Sequence, residues 1–279
     1  MERFKYLDKT VDNPEPIKIF GSKYQLTIFM IPELSSLLRD SVLNTLEDRV
    51  AVSFSGGLDS TLLAKIANEK VEVELFTAGI EGAPDMAYAE KIAEELGLPL
   101  VKCIMEKNEI IETYHKCYGL SPEDFLKVEL LVPIYRIANE AKKRGHQILL
   151  VGAGAEELFV GYERYYTYMK EGKDLDGILK NEFRTLNQRE MSWISKVCRN
   201  FGIEARYPFH NKKLAEFVFE VPLEIRVEEY ELKKGVLREA ASFLGVPETA
   251  VKRKKKALQY GSGIHNILLK ERNLPGMSF

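Results

Sequence analysis

The chain has 279 residues, of which 45% are hydrophobic and 29% charged, and its formal net charge is −2. This length and composition are typical of a globular protein with a sizeable buried core. The small net charge excludes a general electrostatic attraction to nucleic acid or to anionic membranes, and we expect neither as a partner.

Residues 1–45 are predicted to form an N-terminal segment of mixed character. The stretch DNPEPIKIF is rich in turn-forming residues, and KYQLTIFMI has the composition of a strand. The stretch PELSSLLRDSVLNTL has the apolar spacing of a capped helix. We therefore expect turns, a strand and a helix here, in that order.

From Arg49 onward, strand and helix patterns alternate. Strands are predicted at RVAVSF, VEVELFTAG, PLVKCIM and HQILLVG. Helices are predicted at STLLAKIANEK, at PDMAYAEKIAEELG and over the residues before Arg144. Such alternation indicates βαβ units and a parallel sheet that is covered by helices on both faces. We predict an α/β, Rossmann-like fold.

After Gly161 the strand signals nearly vanish. The stretches LDGILKNEFRTLNQREMSWISKVCRNFG, NKKLAEFVFEV and KKGVLREAASFLG all show helical spacing. We therefore predict an α/β core over residues 46–160 and a helical C-terminal part over residues 161–279, packed together without a linker.

The cysteines bear on the cellular compartment. Cys103, Cys117 and Cys198 are scattered and form no C-x-x-C pair. This pattern argues against a disulfide framework or a zinc site and favours a reducing compartment. The chain shows no secretory signal, and its apolar runs are too short to cross a bilayer. We expect a cytoplasmic protein.

The stretch SGGLDS follows the first predicted strand and opens a helix. Gly56 and Gly57 allow a sharp turn whose N–H groups approach an anion, and Ser55 and Ser60 add hydroxyl groups. Asp59 would repel a phosphate bound there, and a bridging Mg²⁺ removes that conflict. The alternative is an ordinary turn in which Asp59 is a helix N-cap.

A second glycine-bearing turn, GAGAEELFVGYERY, follows the fourth predicted strand. Its acids, Glu156 and Glu157, open a helix. Parallel sheets collect ligands beyond the carboxyl ends of their strands, so we predict that Asp59 and Glu156 face one metal ion. The alternative is that Glu156 and Glu157 only complement the helix dipole.

The SGGLDS loop resembles the pyrophosphate-binding loop of the ATP pyrophosphatase (PP-loop) superfamily. Later blocks resemble the synthetase domain of the asparagine synthetase family, in that family's order: GAGAEELFVGYERY, GIEARYPFHNKKLAEFV, KKGVLREAA and KRKKKALQYGSG. The resemblance implies an adenine nucleotide alpha hydrolase-like fold. It also implies an ATP- and Mg²⁺-dependent ligase that adenylates aspartate or a related acid, releases pyrophosphate, and then forms an amide with ammonia or another amine.

The resemblance also implies roles for individual residues. Lys255 takes the position of the family's catalytic lysine and follows Arg253, while Lys234 is a second cation near the phosphates. Asp85 opens a helix and is equally consistent with a simple cap. Asp59 and Glu156 would hold Mg²⁺. The implied nucleotide-binding residues are Ser55, Gly56, Gly57, Leu58, Asp59, Ser60 and Gly154, with backbone groups of Ala78 and Gly79 around adenine.

Several positions depart from the family pattern. Ala153 stands where the family has a glutamate, Glu156 where it has an aspartate, and Asn211 where it has an acid. Ser192 and Trp193 occupy the place of an Asp-Arg pair. At Glu156 a longer side chain would have to reach the metal, whereas the other changes fall on the acceptor side and imply that the acid need not be aspartate.

The source of nitrogen and the general base stay open. Glu182 and Glu190 are both candidates for the base. The family's glutaminase domain uses a cysteine exposed after Met1 is removed, but residue 2 here is Glu2 and the first cysteine is Cys103. We therefore expect free ammonia, another amine or a separate glutaminase subunit as the nitrogen source.

Two other functions are consistent with the same loop. A tRNA-modifying PP-loop enzyme shares it, although the scattered cysteines and the small net charge argue against that function. A non-catalytic ATP- or AMP-binding protein with a decayed acceptor site would account for Ala153, Asn211 and Ser192.

Overall fold

The structure is a computed structural model that describes residues 23–229, 231–254, 261–271 and 273–277, with side chains from residue 30 onward. The turn-rich stretch DNPEPIKIF and the predicted catalytic residue Lys255 lie outside the described residues.

One parallel sheet, with strand order β3-β2-β1-β4-β5, forms the centre of the fold. Val52 of β1 pairs with Leu75 of β2 on one side and with Leu150 of β4 on the other. The predicted parallel α/β fold is confirmed, and the four predicted strands are present. The strands are β1 (Arg49–Ser53), β2 (Glu72–Gly79), β3 (Leu100–Ile104), β4 (Ile148–Leu150) and β5 (Glu204–Arg206).

Helices surround the sheet, and their termini show why they form where they do. Helix α5, for example, begins at the N-cap Asp124, whose carboxylate accepts from the Lys127 N–H, and it ends with Lys142 and Lys143. In the part of the chain described, no helix combines the length and apolarity needed to cross a bilayer. The helices are α1 (Lys23–Leu43), α2 (Leu58–Ala67), α3 (Pro84–Leu96), α4 (Lys107–Leu120), α5 (Phe125–Lys143), α6 (Ala155–Leu158), α7 (Glu163–Lys170), α8 (Leu175–Thr185), a 3₁₀ turn (Leu186–Gln188), α9 (Glu190–Arg199), α10 (Lys212–Glu220), α11 (Leu223–Arg226), α12 (Gly235–Phe243), α13 (Glu248–Val251) and α14 (Ile264–Leu268).

The helices share a single large core with the sheet. Helix α5 packs across β1, β2 and β3 and contacts α4 and α9, while α1 packs on α2, α10 and α12. The buried apolar cluster accordingly runs from Met30 to Leu274. A smaller cluster lies around Tyr165 and Leu179.

The predicted strand at KYQLTIFMI is wrong, because this stretch forms the first part of α1. Buried Met30, Leu34, Leu38 and Val42 recur with helical spacing, and the helix they belong to begins upstream of them. The apolar composition that resembles a strand therefore continues a helix that packs on α10 and α12.

Strand β5 lies within residues 161–279, the predicted helical C-terminal part, where strand signals nearly vanish from the sequence. It has only three residues, it pairs with β4 alone, and none of its residues is fully buried. An edge strand this short carries no alternating apolar pattern. The sheet therefore extends beyond the predicted boundary at residue 160.

The order of the strands brings two loops together. The chain moves outward from β1 to β2 and β3 and then returns to β4 on the other side of β1. Parallel α/β sheets bind ligands at such a point of reversal, beyond the carboxyl ends of the strands. The SGGLDS loop after β1 and the GAGAEE loop after β4 are therefore neighbours.

His210, in the turn after β5, is expected to make the fold sensitive to acid. Its ring centroid lies 4.8 Å from that of Phe183, and burial lowers the His210 pKa below its ordinary value of 6.5. Below that value the unfolded chain binds a proton that the folded chain resists. The contribution of His210 to stability is therefore present above pH 6.5 and is lost as the pH falls toward the lower pKa of the folded state.

When the pH is lowered from about 7.5 to about 5.5, the free energy of unfolding should fall in both proteins, and it should fall less in His210→Phe than in the wild type. The free energy of unfolding is measured by urea titration at each pH. His115→Phe, at an exposed position on α4, is the matched control and should follow the wild type. An unchanged pH dependence in the His210 variant would contradict this account.

Candidate functional site

The loop after β1 packs closely on helix α3. Gly56 has φ +66°, and a Cβ there would lie 2.9 Å from the backbone of Tyr88, so only glycine fits. Gly57, rather than Asp59, is the N-cap of α2. The Gly57 N–H donates to Ser55 Oγ at 3.3 Å, and Ser60 Oγ donates to the Gly57 carbonyl at 3.3 Å. The hydroxyl groups thus fold back onto the loop.

The loop after β4 also depends on glycine. Gly154 has φ +97° and caps α6, whose first turn carries Glu156. A Cβ at Gly161 would collide with the Glu156 carboxylate and with Cε of Lys234. Glycine at position 161 therefore gives the lysine room to reach the acid.

Lys234 joins the two loops. Its ammonium donates to Asp59 Oδ2 at 2.6 Å and to Glu156 Oε1 at 2.8 Å, and the residue is only 4% exposed. Burial alone would lower the Lys234 pKa, but the two carboxylates outweigh burial and raise this pKa above its ordinary value. A charged lysine therefore sits between two acids that come from different strands.

The turn that carries Lys234 is conformationally strained. Lys233 and Lys234 both have φ 58°, a left-handed conformation that side-chain-bearing residues rarely adopt. Arg238 holds the turn by donating from Nε to the Lys233 carbonyl at 2.6 Å and from Nη2 to the Leu232 carbonyl at 2.5 Å. Arg238 lies within the KKGVLREAA block, but the sequence gives no sign of this role.

Asp59 offers an oxygen suited to a divalent cation. Its Oδ2 accepts from Lys234, while Oδ1 is buried and has no hydrogen-bond partner among the described residues. Carboxylate and phosphate oxygens are the ligands that Mg²⁺ prefers. Within the described chain, no group of three or more His, Cys, Asp or Glu residues is placed to hold a metal. A cation at Asp59 and Glu156 would therefore need further oxygens, such as those of a bound phosphate.

Glu157 faces a different environment from its neighbour. It is 3% exposed, and burial, reinforced by the charges of Glu190, Glu156 and Glu182, raises its pKa to about 7. Glu157 does not line the cavity described next, whereas Glu156 does. Of the two acids in this turn, Glu156 is the one that meets the Asp59 loop.

A cavity of about 280 Å³ opens beyond the carboxyl ends of β1 and β4. Ser55 and Asp59 line it from one loop, and Gly154 and Glu156 line it from the other. The structure thus brings together most of the residues that the sequence singled out. Those that line the cavity are Ser55, Gly57, Leu58, Asp59, Ser60, Gly154, Glu156, Lys234 and Arg253.

The residues expected around adenine do not line this cavity. The Gly79 carbonyl accepts from the Met105 N–H at 2.9 Å, and the next N–H, that of Ile80, donates to the Ser262 carbonyl at 3.0 Å. A Cβ at Gly79 would lie 2.7 Å from that carbonyl oxygen. Ala78, with 2% exposure, is buried in β2. The end of β2 is thus covered by the segment that carries Ser262.

Arg253 reaches the cavity, but its guanidinium is engaged. It donates to the Ser55 carbonyl and pairs with Asp85, both at 2.5 Å, and it lies 4.1 Å from the Tyr88 ring centroid. Asp85 is not the cap of α3, because Ala83 is. Arg253 and Asp85 therefore tie the C-terminal part of the chain to the SGGLDS loop.

Three acceptor-side positions have clear structural roles. Asn211 is the N-cap of α10, where its Oδ1 accepts from the Leu214 N–H at 3.1 Å, a role that the family's acid could also fill. Ala153 and Trp193 line the cavity. Those two changes alter the space in which a substrate would lie.

The two candidate bases lie in different places. Glu182 accepts from Arg164 Nη2 at 2.7 Å and from the Tyr165 hydroxyl at 2.6 Å, and it does not line the cavity. Glu190, at the start of α9, does line it. The geometry therefore favours Glu190 as the carboxylate that meets a bound molecule.

Comparison with known proteins places these observations in a family. The sequence profile of the asparagine synthase family matches residues 33–197 and 173–274. A glutamine-hydrolyzing asparagine synthetase homologue of Methanocaldococcus jannaschii is 29% identical over 88% of this chain and 52% of its own length. Asparagine synthetase B of Escherichia coli is 26% identical over 83% of this chain and 45% of its own length.

The chain spans about half of the length of these curated relatives. A solved structure of NMN synthetase from Francisella tularensis aligns over 88% of this chain and 87% of that chain, at 13% identity and a TM-score of 0.44. The profile matches together extend from residue 33 to residue 274 of this chain.

Proposed function

Because the chain belongs to the asparagine synthase family, we propose that it is an ATP-dependent, AMP-forming ligase that converts a carboxylate into an amide. The observation that carries the proposal is the meeting of Asp59 and Glu156, at 2.6 and 2.8 Å from one buried ammonium, at the mouth of the two glycine loops. The two glycine loops can bind phosphate groups, and the two acids can bind a divalent cation. Together they suit a nucleotide that binds as its complex with a divalent cation.

We propose that Asp59 and Glu156 hold Mg²⁺ together with phosphate oxygens. The support is the buried Asp59 Oδ1, which has no hydrogen-bond partner in the described part of the chain. When bound, the ion would neutralise charge that builds on the departing pyrophosphate. Both acids keep their positions through Lys234, which compensates their charges before nucleotide binds.

The protein's own groups would supply the rest of the phosphate site. The hydroxyl groups of Ser55 and Ser60 and the N–H of Gly57 surround the start of α2, where the helix dipole favours an anion. Lys234 would move its hydrogen bonds from carboxylates to phosphate oxygens. We propose Lys255 as the catalytic lysine. We propose Arg253 as a positioning residue, since its guanidinium is paired with Asp85.

The reaction would proceed in two steps. The carboxylate oxygen attacks the α-phosphorus of ATP, an acyl-adenylate forms, and pyrophosphate leaves. The amine then attacks the acyl carbon, and AMP leaves with the bridging oxygen. Glu190, which lines the cavity, would take the proton that the amine loses.

We also propose a nitrogen donor and a cellular location for the protein. We propose ammonia or another small amine as the donor, with a separate glutaminase subunit as one source of ammonia. We propose the cytoplasm as the location, which the buried free thiols of Cys103, Cys117 and Cys198 support.

Pyrophosphate release tests the proposal. ATP and Mg²⁺ are incubated with the protein and with a panel of carboxylates, each with and without ammonium, and pyrophosphate, AMP and amide are measured. We expect pyrophosphate release that depends on one class of acid. Tight ATP or AMP binding without turnover under every condition would favour a non-catalytic nucleotide-binding protein, and specific retention of tRNA would favour a tRNA-modifying enzyme.

Glu190→Gln should separate the two steps. Because the amide cannot accept a proton, we expect amide formation to fall roughly 100-fold while ATP–pyrophosphate exchange stays within about threefold of the wild type. Glu182→Gln is the matched control, and it should leave both rates near wild type. Loss of amide formation in the Glu182 variant alone would reassign the base.

A further inference from the structure

Helix α5 presents an apolar face to the cavity. Its lining residues recur at i, i+3, i+4 and i+7, so they lie on one side of the helix. Only the first of them is charged, and it lies at the N-terminal end of this face. These residues are Lys127, Leu130, Leu131 and Ile134.

Helix α9 also contributes one face to the lining of the cavity. Glu190, Trp193 and Ile194 line the cavity at i, i+3 and i+4, which is again one helical face. The two helices pack against each other, and the loop after β4 adds Val151 and Ala153 to the lining. We call the region lined by these faces of α5 and α9 the apolar wall.

Apart from Lys127, the cations that line the cavity come from the C-terminal segment and not from α5 or α9. The lining cations on the C-terminal segment are Lys233, Lys234, Arg238, Arg253 and Lys254. Among the described lining residues, only Lys127 brings a positive charge to the wall itself. Its ammonium pairs with Asp124 at 2.8 Å and Glu123 at 3.6 Å and lies 5.2 Å from the Trp193 ring centroid.

An amino acid with two carboxylates would be poorly matched to this wall. One carboxylate would react with the α-phosphorus of ATP. The other would lie at the wall and would need a fixed cation there, because burying an unpaired charge is costly. The cation at the wall, Lys127, already has carboxylate partners. The side chains of Leu130, Ile134, Trp193 and Ile194 offer dispersion contacts and no ionic partner.

We propose that the acid activated by this protein has an apolar body, aromatic or aliphatic, that lies on the apolar wall between α5 and α9. This inference rests on the proposed function. It places the acyl group beside Glu190, which shares its helical face with Trp193 and Ile194 and must reach the incoming amine. The carboxylate then points toward the SGGLDS loop, where the cations lie.

The chain offers a direct probe of the wall, because Trp193 is its single tryptophan. We propose to measure ATP–pyrophosphate exchange with phenylacetate, hexanoate and aspartate, and to record tryptophan fluorescence as each acid, and AMP, is added separately. We expect kcat/KM for phenylacetate or hexanoate to exceed that for aspartate by roughly 100-fold, together with a fluorescence change on adding the apolar acid.

Leu130 supplies the variant that tests the wall itself. Leu130→Ala should lower kcat/KM for the apolar acid roughly tenfold, since a half-buried contact is lost without a new charge. Leu126→Ala is the matched control, one turn earlier on α5 and 53% exposed, and it should match the wild type. Leu130→Lys should shift the preference toward aspartate by giving the wall a further cation.

The possible outcomes are distinguishable. Exchange with aspartate at equal or higher kcat/KM would overturn the apolar-acid inference and leave the ligase proposal standing. A fluorescence response to AMP alone, with none to any acid, would also overturn the inference, because it would assign the wall to the nucleotide base. Absence of exchange with every acid would overturn the ligase proposal as well.

Discussion

Replacing Asp59 by asparagine should lower the rate of pyrophosphate formation by roughly 1,000-fold, because the variant loses a charged ligand for the cation that balances the departing phosphates. The asparagine side chain keeps the size of aspartate and still offers an oxygen to Lys234, which now lies 2.6 Å from Asp59 Oδ2. We therefore expect the fold to persist, as judged by far-UV circular dichroism and by the unfolding midpoint.

The control for this variant is Asp40→Asn, at an exposed position on α1. It removes the same charge from the chain without touching the cavity, and its turnover should equal that of the wild type. Undiminished pyrophosphate formation in the Asp59 variant would remove this residue from the metal site. A collapsed fold would instead indicate that the ion pair with Lys234 is mainly structural.

Replacing Lys234 by alanine should have two effects of different origin. Turnover should fall by roughly 100-fold or more, since a cation is lost beside the phosphates. The free energy of unfolding should fall by about 3 kcal/mol, because Asp59 and Glu156 lose the ammonium that pairs with both of them. The first effect is read from pyrophosphate release, and the second from urea titration.

The stability of this variant should respond to metal. If the two carboxylates form a cation site, added Mg²⁺ should raise the unfolding midpoint of Lys234→Ala more than that of the wild type, whose lysine already compensates the acids. Lys213→Ala, at an exposed position on α10, is the control for loss of a lysine. Equal Mg²⁺ responses in all three proteins would contradict a metal site at Asp59 and Glu156.

The meeting of the two loops follows from the sequence because it depends on topology. Alternating strands and helices predict a parallel sheet, and a parallel sheet gathers its strand ends at one edge. Asp59 and Glu156 each follow such a strand, so their proximity needed no knowledge of packing. The family resemblance implies Lys234 as a cation near the phosphates, but its position between the two acids depends on a turn that only the fold carries there.

Other features depend on tertiary packing and have weak local signals. The end of β2, with Gly79, resembles the family's adenine-binding segment, yet the carbonyl of Ser262, far along the chain, accepts a hydrogen bond from the next N–H, that of Ile80. The first part of α1 has the composition of a strand, yet it continues a packed helix. The wall formed by Leu130 and Trp193 becomes visible only when α5 and α9 are placed side by side.

The most direct test of the account is the fate of a labelled oxygen. A carboxylate substrate carrying ¹⁸O in both oxygens is incubated with ATP, Mg²⁺, ammonium and the protein, and the AMP is examined by mass spectrometry. We predict that each AMP gains a single ¹⁸O atom, because the carboxylate oxygen that attacks the α-phosphorus leaves with AMP. Unlabelled AMP, or ADP and phosphate in place of AMP and pyrophosphate, would contradict the proposed chemistry.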